Sequence, residues 1–230
     1  MTITQAGLLR TGGAAAATAG LLFMMVQTLH PAEVVTNVAT PRWAVVHDLT
    51  MLMAILGLLG VSAVYARHAR RAGWVGLVGF LLLFTWLVLV SAFTFVEAFI
   101  LPLLVVDAPR FVEAVLGIFS GQPGEMDLGL LAAAGPLSGV LYILGALGFG
   151  VATIRAGVLP RGAGGLLVVA ALAPLAVSVL PHSFQRIAAV PMGLSLLWLG
   201  LALWWERRVE VTGSVHDRDS GEVDSKRWSA

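Results

Sequence analysis

No cysteine occurs anywhere in the 230 residues. That excludes thiolate metal ligands, a cysteine nucleophile and disulfide exchange. Lysine occurs once, at Lys226 close to the C-terminal end, so no apolar segment holds a lysine for a Schiff base or an amine proton relay. Charged residues make up only 12% of the chain, about half the share usual in a soluble domain. The net charge of +1 gives no electrostatic basis for a nucleic-acid partner. Linear catalytic signatures are missing as well: there is no H-E-x-x-H, no phosphate-cradling glycine loop and no G-x-S-x-G.

Apolar sequence fills the space those residues leave, at 58% of the chain and mostly in long runs. A soluble core could not absorb so many, and the reading is an all-α polytopic membrane protein built as a six-transmembrane-helix bundle. The spans fall at approximately 12–30, 43–65, 74–101, 128–154, 166–180 and 187–205. Residues 1–206 then form one membrane domain, and 207–230, with alternating charges and few apolar residues, form a disordered tail. The run from Gly12 to His30 has no clear small-x-small cleavage site near its end, so it reads as a first span closed by Pro31 rather than as a cleaved signal. "PRFVEAVLGIF", from Pro109, suits a short interfacial helix with proline in its first turn. Gly135-Pro136 predicts a kink in the fourth span, and Pro174 interrupts the fifth. Gly139, Gly145 and Gly148 offer flat surfaces for helix packing, within the chain or in an oligomer or partner complex through this fourth helix.

Basic residues in short connections set the orientation. Arg10, Arg67, Arg70, Arg71, Arg155, Arg161, Arg207 and Arg208 fall on one side, against Arg42, Arg110 and Arg186 on the other. By the positive-inside rule both termini are cytoplasmic, in a bacterial-type cell membrane, with the interfacial helix outside. His68 then lies in the cytoplasmic "ARHARRAG" turn as a solvated residue, and His216 in the tail is likewise solvated.

This topology collects a polar cluster in the outer layer. Glu97 is the only formal charge between Trp74 and Val106, and a carboxylate inside such a run requires a partner, a proton or a surface. His30 ends the first span, His47 sits one turn into the second, and His182 lies in the turn between the fifth and sixth. His30, His47, Glu97 and His182 suit the first shell of zinc or another divalent metal, with Asp48 behind them and Glu97 as ligand or proton acceptor. Met24, Met25 and Met51 nearby would suit copper. His47 and His182 could alternatively supply axial ligands to haem. A hydrolytic, redox or sensing role follows from those chemistries. Two other classes fit the same residues: a proton- or cation-coupled transporter or channel, with Glu97 and His47 as the relay, and a non-catalytic membrane scaffold, with His47 and Glu97 as a structural pair. Ser138 and Ser178 read as packing or backbone-bonded hydroxyls, and Trp86 and Trp198 as bulk.

Overall fold

A computed structural model of the chain describes residues 4–120, 124–177 and 186–205. All regular structure among these residues is helical. Helix α1 spans Gln5–Leu29, α2 Pro41–Phe95, α3 Leu101–Leu104, α4 Pro109–Ser120, α5 Ala134–Ala156 and α6 Arg161–Val177. Helix α7 is Arg186–Trp205, opening with a 3-10 turn. Four stretches are long and apolar enough to cross a membrane: Gln5–Leu29, Pro41–Leu104, Gly129–Ala156 and Arg186–Trp205. A membrane-spanning all-helical protein is therefore the architecture.

The helix starts carry their own chemical signals. Thr4 caps α1 by accepting from the Gly7 N–H at 3.1 Å, and Thr40 caps α2 by accepting from Trp43 N–H at 3.3 Å, with Pro41 in the first turn. The first helix thus begins seven residues before the expected Gly12, and Arg10 is helical, its guanidinium 4.2 Å over the Trp204 ring. Pro136 was expected to kink the fourth span. It falls in the first turn of α5, where the missing N–H has no intrahelical partner to lose.

Pro41–Leu104 runs for 64 residues, which as one rod would measure about 96 Å, three times the hydrocarbon thickness. Gly73 prevents that. Its φ of 60° and ψ of −167° reverse the chain in a region of backbone space open essentially to glycine alone. The two arms lie antiparallel: a Cβ at Gly57 would touch Leu87, the Tyr65 and Phe80 rings stack 4.5 Å apart, and Trp43 reaches Glu97. The basic "ARHARRAG" segment is therefore helical almost to its end, since alanine and arginine are good helix formers and a single glycine makes the turn. This corrects the placing of His68. It is 2% exposed, packed near Phe149 and bonded through Nδ1 to the Val64 carbonyl at 2.6 Å.

Close packing relies on small residues, as expected where lipid removes the hydrophobic drive between helices. Gly145 and Gly148 of α5 lie against Leu83 and Gly79 of the second arm. A second seam joins α1 to α7, with Gly13 on the Gly200 carbonyl and Gly20 on the Gly193 carbonyl. Positions seven apart on each helix meet in reverse order, so α1 and α7 are antiparallel. Gly139, expected to pack like its neighbours, faces open space. Helix α4 buries Val112, Val115 and Leu116 against Val38, Trp43, Phe93 and Leu101, a separate apolar cluster that closes the end of the bundle far from Gly73.

Candidate functional site

That closed end holds the polar cluster, and proline chemistry explains how Glu97 comes to sit there. Residues Val96–Ile100 form a π-helical turn in which the Leu101 N–H bonds to the Val96 carbonyl, five residues back. In the same register the Glu97 carbonyl would take its proton from residue 102. That residue is Pro102, which has no N–H to give. The Trp43 indole N–H supplies the missing donor at 2.8 Å from the Glu97 carbonyl. Trp43 is fully buried and its ring stacks on His47, centroids 4.0 Å apart. One bulge, one proline and one indole thus fix the backbone of Glu97 beside the ring of His47.

His47 is 1% exposed, and its Nδ1 bonds the Trp43 carbonyl at 2.8 Å. A carbonyl only accepts, so Nδ1 carries a hydrogen and donates. Nε2 is left as the nitrogen that gains or loses a proton. It has no hydrogen-bond partner among the described residues and faces Glu97 Oε2 at 3.6 Å. The Glu97 side chain keeps 14% of its surface exposed. The pair is therefore graded: the carboxyl retains access and the imidazole behind it has none.

His30 joins the pair from α1. Its ring meets that of His47 edge-on at 5.1 Å, and its Nδ1 bonds the Pro31 carbonyl at 2.9 Å. Pro31 ends α1 and strands its last carbonyls. Arg42 Nε donates to Leu29 O at 3.0 Å, and Arg186 donates to His30 O at 2.6 Å and to Pro31 O at 3.5 Å. Two guanidinium groups from α2 and α7 thus cap one helix end and hold His30 against the site.

Of the four residues expected to converge, His30 and Glu97 each lie against His47, the ring centroids of the two histidines 5.1 Å apart and Glu97 Oε2 3.6 Å from His47 Nε2. His182 lies outside the described residues, so its expected role as metal or haem ligand does too; Ser178 and the tail with His216 also fall outside them. Asp48, expected behind the histidines, is instead exposed and has no hydrogen bond or ion pair among the described residues. Its position, next to His47 in sequence, turns it about 100° around the helix. No group of three or more His, Cys, Asp or Glu among the described residues is arranged to hold a metal ion. The physical reason is that His30 and His47 each commit Nδ1 to a carbonyl. His47 Nε2 and Glu97 Oε2 stand 3.6 Å apart, which supplies two ligands, and even an open zinc site uses three protein ligands. Metal binding has no support from this set. Nε2, the atom an axial haem ligand would use, has Glu97 Oε2 standing 3.6 Å in front of it.

Sequence reasoning missed Trp43 as a site residue and Arg42 and Arg186 as caps. Trp43 lies four residues before His47, one turn away on the same helix face, which was the available signal. No family model, curated protein or solved structure matches the chain.

Proposed function

We propose that this protein is a proton-coupled membrane transporter in which His47 and Glu97 form the protonation switch. One observation carries the reading: a buried imidazole nitrogen with no hydrogen-bond partner among the described residues faces a carboxyl 3.6 Å away inside an apolar helix pair. A proton on either group leaves the pair neutral overall, and loss of that proton leaves a net negative charge. The two states differ by a charge in a low-dielectric setting, which is the kind of difference that can drive one helix arrangement over another. A π-turn at Glu97 and Pro174 in α6 are the interruptions that would let helices respond.

The bundle crosses the membrane six times in this reading: α1, the two arms of α2, α5, α6 and α7. Arg10, Arg67, Arg70, Arg71, Arg155 and Arg161 gather at the Gly73 end and Arg42, Arg110 and Arg186 at the other, so the Gly73 end and both termini are cytoplasmic. Glu97 then loads from outside.

Trp43 provides the test, because protonation of the stacked His47 places a cation on its indole face. In lipid nanodiscs, Trp43 emission in a variant with the other tryptophans replaced by phenylalanine should change with pH in one sigmoidal step. Glu97→Gln should shift its midpoint, and in proteoliposomes should abolish uptake of protons down an imposed substrate or pH gradient. A titration unmoved by Glu97→Gln, with proton flux intact, would overturn the proposal in favour of a purely structural pair.

A further inference from the structure

Beside the protonation pair, and not needed by it, lies a cavity of about 450 Å³ between α1, the second arm of α2, α4, α5, α6 and α7. That volume is within the range of sites that enclose a drug-sized molecule. Its walls are aromatic: Phe23, Trp86, Phe119 and Tyr142. A groove of about 560 Å³ adjoins it, and both are lined by Gln27 and Arg186.

Three polar groups in this space are unspent. Ser138 is only 6% exposed, lines the cavity and has no hydrogen bond among the described residues, so of the two expected roles, packing or backbone bonding, the second is not seen. The Gln27 side chain also has none among them. Arg186 uses two nitrogens on the His30 and Pro31 carbonyls, and no carboxylate pairs with it among the described residues. A guanidinium has five N–H donors, so its charge and several donors remain for a ligand. Tyr142, by contrast, is already engaged. Its hydroxyl donates to the Ala170 carbonyl at 3.1 Å, the carbonyl that Pro174 leaves without a backbone donor four residues on.

An apolar, aromatic chamber with a cation at its edge that no carboxylate among the described residues compensates, inside a membrane protein, selects for one ligand chemistry. We propose that the cavity binds a single-chain anionic amphiphile, its carboxylate or phosphate on Arg186 and Gln27 and its chain along the aromatic wall that includes Trp86 and Tyr142. A free fatty acid and a lysophospholipid share that chemistry.

Trp86 in the wall makes binding measurable. With the full-length protein in a neutral detergent, 9,10-dibromopalmitate should quench tryptophan emission saturably, and Trp86→Phe should remove the saturable component. The uncharged methyl ester should bind at least about tenfold more weakly, since a charge-assisted hydrogen bond is lost. Gly139→Phe is the decisive variant: Gly139 lines the cavity and a Cβ there meets nothing within 4 Å, so a ring at this position should take up cavity space. It should weaken binding by a similar factor. Competition by palmitate against lysophosphatidate then identifies which headgroup is preferred. Equal affinity for acid and ester, or quenching unchanged by Gly139→Phe, would overturn the proposal.

Discussion

Removing the indole N–H of Trp43 tests the origin of the site most directly. Trp43→Phe leaves the Glu97 carbonyl with no donor, because Leu101 bonds to Val96 and Pro102 cannot bond at all. A buried polar group left unpaired costs about 1–3 kcal/mol. The smaller ring also leaves a void in a fully buried position, which adds its own penalty. Pro102→Ala separates the two effects. It gives residue 102 an N–H that can reach the Glu97 carbonyl in the π register, or can restore α-helical bonding to Ala98. In that background Trp43→Phe should cost less by about 1–2 kcal/mol, since only the void remains. Unfolding of the four proteins of this cycle in mixed micelles, followed by circular dichroism, measures the coupling. A Trp43→Phe cost equal in both backgrounds, within about 0.5 kcal/mol, would refute the claim that the bulge, the proline and the indole act together.

The same logic applies at the other proline: Tyr142→Phe should destabilise by about 1–3 kcal/mol through the unpaired Ala170 carbonyl, and Pro174→Ala should relieve most of that loss, as read by thermal unfolding. Gly73→Ala should cost about 1–3 kcal/mol although no neighbour lies within 4 Å of the added carbon, because the penalty is one of backbone conformation; an unchanged melting temperature would contradict this. Gly200→Ala should cost about 1–3 kcal/mol by driving a methyl into the Ala17 and Gly13 backbone, whereas Gly165→Ala, with open space around it, should be neutral or stabilising by up to about 1 kcal/mol. Melting curves for the two variants side by side check that contrast.

The gathering of His30, His47 and Glu97 was legible because helix order and the side on which each residue falls require only hydrophobic runs and charges. The neighbouring span-ends follow from chain connectivity. What connectivity does not carry is rotation about each helix axis. Asp48 and His47 are adjacent in sequence, yet one is exposed and the other is sealed beneath Trp43. His68 sits among arginines, and its burial depends on Phe149 arriving from α5, 81 positions away. The π-turn is equally hidden, since its only local sign is Pro102, and a proline alone would as readily end a helix as shift its register.

Composition and pattern by themselves determined an all-helical membrane protein, without thiol chemistry, whose one mid-run carboxyl needs a partner. Those properties follow from one-dimensional facts: run length, charge placement and the absence of residue types. Tertiary structure alone decided that the partner is Nε2 of His47, that a tryptophan holds the carboxyl's backbone, and that the described residues around the pair form no metal cage. Each of these depends on which atoms of distant helices come within hydrogen-bonding range. That is a matter of a few ångströms and of helix rotation, and a hydrophobic period of 3.6 residues leaves both free.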